Sequence, residues 1–282
     1  MPSPVATLRS LRHGPLKLFD PLWLALGRAY RALLRWHPRP GPTLQQIGPY
    51  GPFRMNPTFA FSDFAHWGDR HNRGFAACVE ACRGKTCVLD VGAHIGLVSL
   101  PISGLLAPGG RLYAFEPATA NHRLLAEHLA LNGIDNVEVI DALVGAEDSS
   151  AVPFYEQREA TGVNSVVGGG SRSGFERTRR RQVSLDSFCH ARRLSPEVIK
   201  IDVEGAEMAV LEGGREVIGR CRPVIFLSVH PAHLEALGHD QAALAALIDS
   251  LGYRCRDMDG QTPGRFRLDE YRLDPASPGA TG

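Results

Sequence analysis

The chain has 282 residues, 44% of them hydrophobic and 22% charged, and a formal net charge of +1. A composition this close to the globular average excludes wholesale disorder, and six cysteines spread over this length exclude a dense disulfide scaffold. No apolar run reaches the roughly 20 residues needed to cross a bilayer, and no secretory signal precedes the cysteines, so a reducing cytosol is the expected setting.

Residues 1–42 read as a separate N-terminal element. Up to Arg39 they carry seven Lys or Arg against one acid, Asp20. Over residues 22–36, Leu, Trp, Ala and Tyr alternate with Arg at helical spacing, which predicts a basic amphipathic helix. Such a helix suits packing on the main domain or a partner chain, and its basic edge also suits peripheral contact with an anionic membrane. Pro38, Pro40 and Pro42 cannot continue it and read as a linker. The main domain is expected over residues 43–274, with a disordered tail over residues 275–282.

Within the main domain, β-rich runs at residues 86–91, 111–115, 137–143, 198–203 and 223–229 alternate with helical periods such as 121–131 and 241–251. This alternation predicts an α/β fold with a mostly parallel, doubly wound sheet, because each parallel crossover must return over one face. Cys78, Cys82 and Cys87 do not have zinc-ligand spacing and read as small buried hydrophobes. Between about 150 and 188, β-like pieces at 152–155 and 182–185 flank a glycine run at 168–170, which predicts an inserted β-hairpin. Near the end, runs at 253–258 and 266–271 around a turn-prone stretch predict a closing antiparallel strand.

The first nucleotide-type loop is VLDVGAHIGLVS, residues 88–99. Gly92 permits a sharp turn, and Gly96 is expected to let a ligand approach the backbone closely. The second strand ends at Glu116, 24 residues after Gly92, where an acid can take both hydroxyls of a ribose. The loop lacks the denser GxGxxG spacing that cradles a pyrophosphate. Asp90 would repel a pyrophosphate and could orient a cationic sulfonium or ammonium. S-adenosylmethionine carries both cations, so a methyl donor fits better than a dinucleotide. Asp141 and Ala142 follow the third strand, where they would border adenine; Asp141 reads equally as an ordinary strand-end acid.

DVGAHIG at 90–96, AFEP at 114–117, LNG at 131–133, Asn164 with Ser165, SLDSF at 184–188 and KIDVEGAE at 200–207 together resemble the FkbM family of S-adenosylmethionine-dependent methyltransferases. The resemblance covers roughly residues 67–253 and implies a Rossmann-like class I methyltransferase fold. His94 stands where the family usually has Asn, and Ser228 where members often carry an acid. The implied activity is O-methylation of a hydroxyl on a saccharide or secondary metabolite, with a small-molecule or glycan acceptor. A base must then take the hydroxyl proton, and the sheet's carboxyl edge offers Asp202 first, then His230 and Glu204. Glu204 and Glu207 also suit backbone capping, and Lys200 reads as structural.

No metal site is expected, although Asp202, Glu204, Glu207 and His230 leave Mg2+ as a minor alternative. Arg172, Arg177 and Arg179 to Arg181 in the insertion read as a solvated loop or as a site for an acidic acceptor. Without an aromatic platform beside them, nucleic acid is not an expected partner. The competing function is a non-catalytic scaffold of the same fold recruited to a membrane through residues 22–36. Oligomeric state is left open.

Overall fold

A computed structural model describes residues 23, 25–27, 29–30, 41–69, 72–157, 166 and 175–276. Seven strands form the main sheet: β3 (Cys87–Val91), β4 (Arg111–Phe115), β5 (Val137–Ile140), β9 (Val198–Ile201), β10 (Val224–Val229), β11 (Tyr253–Asp257) and β12 (Asp269–Pro275). Their order is β11-β12-β10-β9-β3-β4-β5, and β12 runs antiparallel to both of its neighbours. All residues of β3 and β9 are buried, as expected of central strands covered on both faces, and this is why they read as continuous apolar runs. Successive side chains alternate between two cores. Leu89, Val91 and Phe115 pack with one helical layer, whereas Val88, Leu112 and Ala114 pack with the other.

The sequence moves outward from β3 to β5 and then returns to β9 on the opposite side. The switch point therefore lies between the carboxyl ends of β3 and β9, where open α/β sheets bind their ligands. The doubly wound sheet and the closing antiparallel strand match the expectation.

Four features depart from it. The run at 137–143 breaks after Ile140, because β6 (Leu143–Val144) leaves the main sheet and pairs with β8 (Phe175–Val183). Together with β7 (Ser149–Gln157), this gives a separate three-stranded sheet. The insertion ends at Val183 rather than at 188, because Ser184 caps the helix Leu185–Arg192 by accepting from the Ser187 amide at 3.1 Å. The closing strand extends to Pro275, which pairs with Tyr253, so the tail boundary at 275 is corrected. A hairpin of β1 (Thr43–Ile47) and β2 (Tyr50–Met55) precedes the sheet, and its glycines and prolines had hidden its strand character.

The amphipathic stripe near the N-terminus packs on the domain where it is described. Trp23 is 2% exposed, and Leu26 and Tyr30 join it against Ala60 and Phe61. Tyr30 meets Phe61 edge-on at 5.1 Å. Asn164, Ser165, Gly168 to Gly170, Arg172 and residues 277–282 lie outside the described residues. Among those described, no helix is long and apolar enough to cross a membrane. Cys78, Cys82 and Cys87 are buried free thiols.

Candidate active site

At the switch point the carboxyl ends of the strands open into a cavity of about 370 Å3, a size typical of small-molecule sites. One end is formed by the loop after β3, by Glu116 and Asn121 beyond β4, and by Ala142 to Val144, with Phe154 of β7 beside them. The other end holds Lys200, Asp202, Glu204, Ser228 and His230, with Trp67, Asn72, Leu268 and Asp269 at the rim.

Gly92 is required by two constraints. Its φ is +88°, and a Cβ placed there would lie 1.9 Å from the Asp202 carbonyl oxygen. Gly96 has a different role from the expected one. It does not line the cavity, and its missing Cβ makes room for the Leu125 side chain at 2.7 Å. His94 adopts φ +53°, a left-handed conformation that Asn, Asp and His tolerate better than most residues, which accounts for His in place of Asn. Its amide donates to Glu116 Oε2 at 2.8 Å, while its buried Nε2 has no partner among the described residues. Burial drives its pKa down to about 4, so the ring is neutral at pH 7.

Glu116 is 5% exposed, and its Oε1 accepts from the Ala118 amide at 2.9 Å. Burial pushes its pKa up to about 7. Asn121, which the motifs did not indicate, donates to the same oxygen at 3.4 Å and lines the cavity. Its only signal was a polar residue early in the helix that follows AFEP.

Besides Gly96, two more cofactor candidates fall outside the cavity lining, Asp90 and Asp141. Asp90 is fully buried, because its strand position pairs it with Lys200 of β9. It accepts from Ser99 Oγ at 2.6 Å and faces Lys200 Nζ at 3.8 Å, so its carboxylate belongs to an interior ion cluster rather than to the ligand surface. Asp141 is exposed, whereas its neighbour Ala142 does line the cavity.

At the other end Lys200 proves to be more than structural, since it borders the cavity and lies 3.2 Å from Asp202 Oδ2. Burial disfavours its charge, but Asp202, Asp90 and Glu270 outweigh that and raise its pKa. Burial likewise works against the Asp202 carboxylate, yet Lys200 and His230 hold its pKa below the usual value. His230 is 12% exposed. Its Nδ1 sits 2.7 Å from Glu207 Oε1, and its Nε2 lies 3.7 Å from Asp202 and 3.6 Å from Glu204. Burial disfavours the imidazolium, but the bond to Glu207 and the charges of Asp202 and Glu204 push its pKa up to about 9. Its ordinary pKa, which had recommended it as a base, is therefore corrected upward.

Glu204 carries φ +53°, a strained conformation for this residue, and its second oxygen is 3.1 Å from His233 Nδ1. Glu270, also absent from the motifs, lies across from Ser228 in the β10–β12 register, and burial raises its pKa to about 7. Only the insertion of β12 beside β10 brings it near the site.

These shifts set the pH dependence of stability. A raised folded-state pKa contributes stability below the unfolded value and loses it as pH rises through the folded one. His230 thus loses its contribution between about 6.5 and 9, and Glu270 between about 4.5 and 7. Glu270→Gln, which mimics the neutral acid, is expected to stabilise the fold at pH 8 by on the order of 2 kcal/mol and to change little at pH 4. Chemical denaturation at the two pH values measures the difference.

Arg177, Arg179 and Arg181 are exposed on one face of β8. Phe154 and Arg180 lie on the opposite face, where Phe154 lines the cavity and Arg180 pairs with Glu156. The three outer arginines point away from the cavity, so they do not form an acceptor site within it. No group of three or more His, Cys, Asp or Glu among the described residues is arranged to hold a metal ion.

Comparison with known proteins agrees with the motifs. Methyltransferase 1 of Beauveria bassiana (strain ARSEF 2860) is 27% identical over 146 residues, covering 45% of this chain and 57% of that protein. Methyltransferase sdnD of Sordaria araneosa is 27% identical over 213 residues, covering 64% of this chain and 79% of that protein. The crystal structure of methyltransferase FkbM from Methylobacillus flagellatus KT superposes with a TM-score of 0.45 at 19% identity, over 68% of this chain and 44% of that one. The chain thus spans less than two thirds of the length of the first relative and of this structure. The family profile for the methyltransferase FkbM domain matches residues 90–255, more than half of the chain. The chain belongs to the FkbM methyltransferase family.

Proposed function

We propose that the protein transfers a methyl group from S-adenosylmethionine to a hydroxyl of a small-molecule or glycan acceptor. One observation carries the reading: a single cavity joins a buried acid suited to a ribose, Glu116, to an imidazole among carboxylates at His230. The residues fit the donor. Glu116 Oε2 keeps acceptor capacity beyond its bond to the His94 amide, and on Oε1, which accepts from the Ala118 amide, a ribose hydroxyl needs to displace only the long 3.4 Å contact from Asn121. Phe115, Ala142 and Leu143 supply an apolar wall for a base, and the orphaned Nε2 of His94 and Oγ of Ser228 border the same space. When bound, the donor supplies an electrophilic methyl on a sulfonium.

An alcohol needs its proton removed as the new bond to carbon forms. The geometry favours His230 over Asp202 for that task. Asp202 is engaged by Lys200 and kept a weak base, whereas His230 Nε2 faces the cavity region without a hydrogen-bond partner within 3.5 Å among the described residues. The positive charge of a bound sulfonium would lower the His230 pKa toward neutrality and make the free ring more abundant.

Incubation with methyl-labelled donor and a panel of saccharide, polyol and phenol acceptors tests the reading. The expected product is a labelled methyl ether that survives alkali. Label recovered only in alkali-labile esters or on amines would contradict it.

A further inference from the structure

We propose that Glu207 is a positioning residue for the methyl transfer, fixing His230 in its Nδ1–H tautomer so that Nε2 is presented to the acceptor hydroxyl. The inference rests on the reading above and adds a residue that does not itself border the cavity.

Glu207 is 0% exposed, and its Oε1 is anchored by the Gly205 amide at 3.1 Å. The same oxygen is 2.7 Å from His230 Nδ1, a charge-assisted geometry. A carboxylate oxygen has no proton to give and can only accept, so the hydrogen of the pair sits on Nδ1. The remaining nitrogen, Nε2, is left between Asp202 Oδ1 at 3.7 Å and Glu204 Oε1 at 3.6 Å, both too long for hydrogen bonds. A hydroxyl entering there finds a nitrogen lone pair when His230 is neutral. As the oxygen–carbon bond forms and the sulfur–carbon bond breaks, the hydroxyl proton passes to Nε2. The imidazolium that results is stabilised by Glu207, with Asp202 and Glu204 beside Nε2 and the His233 ring stacked at 5.9 Å.

A capping role for Glu207 would require only the Gly205 bond. The second contact, to a half-enclosed imidazole on a different strand end, is what capping leaves unexplained.

Nuclear magnetic resonance titration of nitrogen-labelled protein tests the proposal without reference to turnover. In the wild type His230 should carry its proton on Nδ1 when neutral; a ring protonated on Nε2 instead would overturn the proposal. Glu207→Gln should lower the His230 pKa by at least one unit and reduce kcat by about tenfold or more, with S-adenosylhomocysteine affinity within about threefold. Glu207→Asp should recover part of both effects. An unchanged titration, tautomer and pH–rate profile in a folded Glu207→Gln protein would reduce Glu207 to a cap. Should the substitution prevent folding, the wild-type tautomer alone decides. Loss of donor binding in the wild type would instead contradict the functional reading, which the tautomer measurement does not depend on.

Discussion

His230→Gln is expected to lower kcat by about 10^2 to 10^4-fold while leaving S-adenosylhomocysteine affinity within about threefold, the range for loss of a general base. The glutamine keeps a polar group of similar reach but cannot take a proton. Because the acids around it hold the free ring's pKa near 9, kcat/KM of the wild type should rise with pH up to about that value, since only the neutral ring accepts. That limb should vanish in the variant. Asp202→Asn separates the two candidates: its removal also strips Lys200 of its nearest partner, at 3.2 Å, so some loss of stability is expected as well. If Asp202→Asn abolished turnover while His230→Gln kept it within about threefold, the base would be Asp202.

Gly92→Ala should destabilise the fold by more than about 3 kcal/mol, because strain at a positive φ and a backbone clash act together. The added Cβ would sit 1.9 Å from the Asp202 carbonyl oxygen and 2.8 Å from its carbon. Neither atom can move without breaking the β3–β9 pairing, in which the Asp202 amide donates to the Val91 carbonyl at 2.9 Å. Gly84 is the control, with φ +71° and nothing within 4 Å of an added methyl carbon. Its alanine variant should cost only about 1 to 2 kcal/mol, from backbone strain alone. Urea unfolding of both proteins measures the contrast, and equal costs would contradict the close approach.

The sheet was legible because its central strands are apolar on both faces, and the closing strand because two β-rich runs flank a turn. The first hairpin was not, since residues 48–53 are rich in glycine and proline, which read as loop whatever the pairing across it. Glu116 could be placed from strand length and spacing. Asp90 was misplaced toward the ligand because a motif fixes position along a strand but not which face a side chain takes once Lys200 is registered beside it. Glu270 and Asn121 could not be found from spacing, as the first enters the site through a strand inserted out of sequence order. The pKa of His230 was likewise invisible, because it depends on three acids gathered from one loop and a helix start.

The central claim is that this cavity holds the adenosine of a methyl donor on Glu116. Calorimetric titration of S-adenosylhomocysteine into wild-type protein and Glu116→Ala tests it most directly. The account predicts, at pH 8 where Glu116 is mostly ionised, one-site binding to the wild type and at least about a hundredfold weaker binding to the variant, the cost of removing a buried acceptor of two hydroxyls. Equal affinity for both folded proteins, or no binding to either, would contradict it.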